Sequence, residues 1–293
     1  MSHPSALTAS LIVVAAASVW GLYWWPLHQM EAQGLSGAWA LVLINLPAGL
    51  LLGLWALVTV RAQWPHRRAT LWIGLLTGAG MACYGMALSE TSVIRATLLF
   101  YLTPIWATLI GRYALGEATP PNRWLAIAMG FVGLAVLVSG KHPIPFNVGD
   151  ILALLSGIFW AIGAAVIKRA GAIPLAGMTA IQFLVVSGVS LLLGALTGGL
   201  PTPPVSALTT ALPLGLAVSL GALLPSVILL FWASQRLFPG RVGLLMMSEV
   251  VVAITSASLL LPMEQMTPLQ WLGAALIVGA GIIEVRPNKQ QAL

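Results

Sequence analysis

Read along its length, the chain alternates between long apolar runs and very short polar breaks. Ten runs reach or approach the roughly 20 apolar residues that cross a bilayer. They lie near 7–28, 37–60, 70–89, 93–115, 124–139, 149–167, 175–197, 207–235, 242–262 and 269–285, and are numbered here as spans 1 to 10. The breaks carry turn chemistry, as at Gln33-Gly34, Gln63-Trp64-Pro65, Lys141-His142-Pro143 and Gly198-Gly199-Leu200-Pro201. Gly and Pro there end helices and shape tight turns. No polar stretch is long enough for a soluble domain. The pattern predicts an all-α polytopic membrane protein.

The pattern also repeats. Glu117, Pro121 and Trp124 are spaced four and three apart, and Glu264, Pro268 and Trp271 keep that spacing 147 residues later. An ungapped echo at half the chain length points to duplication. Trp20 and Trp160 form a second, gapped echo. Five spans per half is an odd number, so the second half enters the membrane from the opposite side. The reading is ten transmembrane helices in two inverted five-helix repeats around a central cavity, residues 1–141 and 142–293. Inverted repeats are common in secondary transporters, which exchange outward-open and inward-open states by rocking one repeat against the other.

Composition narrows the class. Of 293 residues, 59% are hydrophobic and 7% are charged, against roughly 25% charged in soluble domains. The net charge is +6, yet the cations stand singly between apolar runs instead of clustering as a nucleic-acid site requires. They sort by side. With both termini cytoplasmic, eleven of the thirteen Lys and Arg fall on the cytoplasmic side and only Arg95 and Lys141 on the other, as the positive-inside rule demands. The first apolar run has no cation before it and reads as a retained span. The lone Cys83 sits inside an apolar run, so no disulfide framework or cysteine metal site is expected. Gly140-Lys141-His142 looks like the end of a phosphate loop, but Ala135 and His142 occupy the positions that need Gly and Ser or Thr, so ATP is not expected. No His/Cys/Asp/Glu set has metal spacing and no Ser/His/Asp set converges, so neither an enzyme nor a cofactor is expected.

Candidate substrate contacts come from span 4. Thr97, Tyr101, Pro104 and Thr108 share one helix face. Pro104 lies roughly 16 Å from the outer end, near mid-membrane, and frees the Phe100 carbonyl; it is the candidate hinge. The echo stripe on span 9 is Leu244, Ser248, Val251 and Thr255, without a proline. Trp20 and Trp24, at helical spacing on span 1, suit a cavity wall. Tyr84 and Trp160 lie deep enough to need polar partners; the alternative for both is ordinary packing. Trp25, Trp64, Trp72, Trp124 and Trp271 suit the interface, as does His28. Glu90 and Arg95 suit an ion pair at a tight turn, and Glu117 and Glu264 suit turn anchors. Gly49/Gly53, Gly74/Gly78 and the Gly/Ala-rich spans 5 and 10 suit helix packing, with a dimer face the lesser alternative at the first two pairs. Glu249 is the one acid well inside a span, about 12 Å beyond Arg241. An acid at that depth couples protons, pairs with a substrate ammonium, or holds its helix through a hydrogen bond.

Two halves that each end in E-x3-P-x2-W and a Gly/Ala-rich helix resemble the drug/metabolite transporter superfamily, in its EamA-like branch. The runs W-G-L-Y-W-W from Trp20 and F-Y-L-T-P from Phe100 are similar to those of YddG-type aromatic amino-acid exporters. The resemblance implies a bacterial inner-membrane exporter of aromatic and other neutral amino acids. It implies a basket of spans 1, 3, 4, 6, 8 and 9 around the cavity, with spans 5 and 10 outside, and Tyr84, Tyr101 and Trp160 near the cavity. A lipophilic-drug or other metabolite exporter is the alternative, and a structural or sensory membrane protein a more distant one. The small multidrug relatives use a glutamate within their first span, whereas the first acid here is Glu31 at its end. Nothing in the pattern selects a monomer or a dimer.

Overall fold

The computed structural model describes residues 6–91, 93–138, 146–197, 200–260 and 267–285. Among them all regular structure is helical, with no strand. Span 1 is two helices, α1 (Ala6–Trp20) and α2 (Trp24–Ala32), joined by a turn. Span 2 is α3 (Gly37–Val58). A short helix α4 (Val60–Gln63) and a 3-10 turn at Trp64–His66 lead into α5 (Arg67–Glu90), span 3. Span 4 is α6 (Val93–Phe100) and α7 (Thr103–Leu115), and span 5 is α8 (Pro121–Val138). Spans 6 and 7 are α9 (Val148–Ala170) and α10 (Leu175–Thr197). Span 8 is α11 (Val205–Val218), a π-helical turn Ser219–Leu223, and α12 (Leu224–Ser234). Span 9 is α13 (Pro239–Met246) and α14 (Ser248–Leu260), and span 10 is α15 (Pro268–Val285).

The ten runs therefore match ten rods, with ends differing by a few residues. Seven are long and apolar enough to cross a membrane; α8 and α15 give shorter apolar helices. Gln63, Trp64 and Pro65, read from sequence as an irregular break, lie in helical turns instead. Lys141, His142, Gly198, Gly199 and Glu264 lie outside the described residues.

Small residues set the packing. A Cβ at Gly74 would meet Ile181 Cβ at 2.5 Å, and one at Gly78 would meet the Gln182 carbonyl at 2.8 Å. The close approach of α5 to α10 thus absorbs that glycine pair within the chain. A Cβ at Gly133 of α8 would lie 2.6 Å from the Gly273 carbonyl of α15, so the two short helices pack on one another. Their far sides, including Trp124, Val132, Trp271 and Ile282, are exposed. Pro47 interrupts α3, and the Ala48 N–H donates to Ser219 Oγ in the π turn at 3.1 Å. A proline in one helix is thereby matched to an extra residue in another.

Candidate functional site

Two broken helices, spans 4 and 9, meet in the interior. In span 4, α6 stops at Phe100 and α7 starts at Thr103, with Pro104 in its first turn. Proline brings no N–H, so the Phe100 carbonyl loses its helical donor. The Thr103 hydroxyl donates to it instead. A Cβ at Gly157 of α9 would sit 2.8 Å from both the Phe100 oxygen and Thr103 Oγ1; only glycine lets α9 run so close to the break. Span 9 breaks at the same depth without a proline. There Val250 N–H turns back to Met247 O at 3.1 Å, which leaves the Met246 carbonyl without its helical donor. The Tyr101 hydroxyl supplies one from the other repeat, at 2.9 Å.

Around this junction the polar groups converge. Tyr84 Oη donates to Glu249 Oε1 at 3.2 Å and lies 3.4 Å from Thr97 Oγ1. The Tyr101 hydroxyl is also within reach of the Glu249 carboxylate. Glu249 is buried in the first turn of α14, where the helix dipole favours an anion. Rings close over these groups: Tyr84 and Phe100 are 4.7 Å apart between centroids, and Phe100 and Tyr101 5.2 Å. Trp20 packs on Tyr23 at 5.1 Å, and Trp160 stacks on Phe231 of α12 at 6.4 Å. The indole N–H groups of Trp20 and Trp160 are buried and have no partner among the described residues. Buried donors without partners are rare and call for a reason.

The structure brings Tyr84, Thr97, Tyr101 and Glu249 into one hydrogen-bonded cluster. It places the other sequence candidates elsewhere. Pro104 and Thr108 face α13: a Cβ at Gly240 would lie 2.7 Å from Thr108 Oγ1, and one at Gly243 3.3 Å from Pro104 Cα. These two residues line the crossing of the echo helices, not the Tyr84 cluster. Ser248 turns the other way and donates to Val14 O at 3.2 Å, in a lateral crevice between α1, α14 and α15. Trp20 and Trp24 do not stack as regular helical spacing would have them. The turn at Gly21–Tyr23 intervenes, so Trp24 pairs with His28 and donates to Ser256 Oγ at 3.1 Å. That turn fits against α14: a Cβ at Gly21 would lie 2.6 Å from the Glu249 carbonyl.

Two buried cations were counted from sequence only as topology signals. Arg123, 1% exposed, forms an ion pair with Glu117, whose N–H also closes on Gly111 O at 2.9 Å. Glu117 thus anchors its turn. Arg241 is buried in α13 and donates through Nε to Ser10 Oγ at 3.1 Å. Pro239 at the helix start is a signal that puts Arg241 inside a helix; the six-residue offset from Glu117 to Arg123 follows no helix or turn rule. Asn45 was also missed. It donates to Leu41 O at 2.8 Å and to Tyr23 Oη at 3.4 Å. Glu90 accepts from Thr197 at 3.0 Å; the side chain of Arg95, its expected partner, lies outside those described. Among the described residues no group of three acids, histidines or cysteines is placed to hold a metal.

Comparison with known proteins agrees with this architecture. A profile described as the EamA-like transporter family matches residues 7–139 and again 147–284. The chain is similar to Protein RarD of Streptomyces exfoliatus, 27% identical over 195 residues, which are 64% of this chain and 61% of that protein. The match thus spans less than two thirds of that relative's own length. It is similar to a Riboflavin transporter of Rhizobium johnstonii, 27% identical over 251 residues, 78% of this chain and 73% of the relative. A shorter match, 28% over 89 residues and 30% of each chain, is to an S-adenosylmethionine uptake transporter of Rickettsia prowazekii. A protein crystal structure superposes with a TM-score of 0.70 over 94% of this chain and 96% of its own, at 21% identity, a likeness of fold alone.

Proposed function

We propose, for a chain that belongs to the EamA-like transporter family, that the solute carried is an aromatic or other neutral amino acid, exported across the inner membrane by alternating access. Members of the family are transporters, not enzymes. The observation that carries the choice of solute is the buried Glu249–Tyr84 hydrogen bond beneath a group of aromatic rings. A zwitterion finds complementary groups there. Its ammonium replaces the Tyr84 hydroxyl as donor to Glu249, its side chain lies among the rings, and its carboxylate accepts from the unpartnered indole N–H groups of Trp20 and Trp160. Repeats 1–141 and 142–293 are the moving bodies in this reading. The crossing of α7 and α13 closes the end that carries Glu117. In this reading the cation bias puts that end and both termini in the cytoplasm, and the crossing is the cytoplasmic gate.

A second reading rests on the relatives. Two of them are named for riboflavin and for S-adenosylmethionine, solutes that each carry a flat heteroaromatic ring system, and one of those names specifies uptake. The same rings and indole donors suit such a solute. Flux in proteoliposomes of the pure protein separates the two. Saturable movement of labelled Phe and Trp, competed by Met, is expected. Movement of riboflavin or S-adenosylmethionine without Phe or Trp favours the second reading, and movement of ethidium alone overturns both.

A further inference from the structure

Far from the Glu249 cluster, a trench of about 620 Å³ runs along the outer face between α3, α5 and α10. Its floor includes Gly49 and Gly53. Gly49 is covered, since a Cβ there would lie 3.0 Å from Leu184 Cδ2, whereas one at Gly53 would meet nothing within 4 Å. Half of the glycine pair therefore serves helix packing, and the other half keeps the trench open. A helix dimer of the Gly-x3-Gly type needs both glycines free for backbone approach, and one is already used.

The trench ends at the short helical turns before α5, where its chemistry changes. Gln63 and Thr70 are among its lining residues; both are at least nine-tenths buried, and Gln63 Oε1 and Thr70 Oγ1 lie just beneath its wall with no partner among the described residues. Beside them Arg67 lies 4.9 Å from the Trp64 ring centroid and spends one N–H on Trp64 O at 3.3 Å. Arg61 and Arg68 are close in sequence, and both are exposed. An apolar trench that ends in an arginine, a free hydroxyl and a free carbonyl has the two chemistries of a lipid.

We propose that this trench binds one anionic phospholipid. The phosphate takes donors from Arg67 and Thr70, a headgroup hydroxyl donates to Gln63 Oε1, and one acyl chain lies across Gly53. A second copy of this chain meeting the same face would bring its exposed Leu50, Leu54 and Leu57, whose side chains offer Gln63 and Thr70 no hydrogen-bond partner. The site is independent of which solute the transporter carries.

Native mass spectrometry of the full chain, with phosphatidylglycerol and phosphatidylcholine of equal chain length, tests the site. One phosphatidylglycerol should be retained in preference to phosphatidylcholine. Arg67→Gln should lower that retention about fivefold, the usual worth of one basic side chain at an anionic surface, and Thr70→Val should lower it further. Gly53→Leu should abolish it without lowering the melting temperature, since the new side chain enters open space. Equal retention of the two lipids, or retention unmoved by Arg67→Gln and Gly53→Leu, overturns the proposal. So does a dimer that Gly53→Leu splits, which would make the trench a protein interface.

Discussion

In the first repeat the break in the fourth span is written into the chain beside it. Pro104 withholds the donor that the Phe100 carbonyl needs, and Thr103, three residues on, replaces it. In the second repeat the matching span has no proline at the gap, and the hydroxyl it has there, Ser248, is turned away to Val14 O. The Met246 carbonyl is held by Tyr101, 145 residues away. The first bend is local and would persist in an isolated helix. The second depends on contact between the repeats, so it is a bend that α13 and α14 can lose when Tyr101 moves off. Two copies of one ancestral helix have thus been given a fixed joint and a conditional one. In the alternating-access cycle proposed above, Pro104 would then set the geometry and Met247 would be where the helix changes shape.

The comparison breaks most visibly at the crossing that holds the two helices together. Gly240→Leu drives a side chain into the Thr108 backbone, where a Cβ already lies 3.2 Å from Thr108 Cα. Overpacking of this kind costs about 1–3 kcal/mol, so melting in detergent should fall by roughly 5 °C and transport should be lost. Gly188→Leu, where a Cβ meets nothing within 4 Å, should melt like the parent. Equal melting of the two variants would mean that the crossing is not tight.

Next in size is the acid at the conditional joint. Glu249→Gln keeps the shape and removes the charge. Hydrogen bonds to charged groups are worth about 1.5–3 kcal/mol, so apparent affinity for Phe should fall about tenfold or more at every pH if Glu249 holds the ammonium. If it couples protons instead, affinity stays and the response to an imposed pH gradient disappears. Parental behaviour in both assays would reduce Glu249 to a structural group.

The sharpest test of the two joints is smaller. Interhelical hydrogen bonds in membranes average about 0.6 kcal/mol, so Tyr101→Phe should change flux about threefold; Thr103→Val removes a local bond worth about 1 kcal/mol and should change it about fivefold. Pro104→Ala restores an N–H for Phe100 and should rescue Thr103→Val, but not Tyr101→Phe. Rescue of both would make the joints equivalent and end the asymmetry. Smallest of all is Ser256→Ala, which removes the acceptor for the Trp24 indole at the far end of span 9. It should alter flux by less than twofold, and a larger loss would extend the site beyond the joints.

Much of the architecture was legible because lipid allows few solutions. Run lengths gave ten rods, and the Glu-Pro-Trp echo gave the repeat. Local rules also worked where the cause is local, as with Pro104 and the Phe100 carbonyl. They failed where the cause is tertiary. Nothing near Met247 predicts a break, because the partner of the Met246 carbonyl lies in the other repeat. Helical spacing on span 1 hid the turn at Gly21–Tyr23, which exists to fit α14. The face carrying Thr97 and Tyr101 was read as extending to Thr108, but the intervening break turns Pro104 and Thr108 toward Gly240 and Gly243. Arg123 and Arg241 looked like boundary charges because sequence records charge without recording which way a side chain faces.

The π-helical turn at Ser219–Leu223 bears on how this chain is read against others. It is one residue more than a regular helix needs, accommodated because Ser219 accepts the Ala48 N–H beside Pro47. Losing that residue would shorten span 8 by only about 1.5 Å but would rotate α12 by about 100° against α11, carrying Phe231 away from Trp160. A descendant or cousin with a straight eighth helix would therefore differ by a single-column gap, not by a substitution. Residues after that gap, aligned by letter alone, would be assigned to the wrong side of the helix.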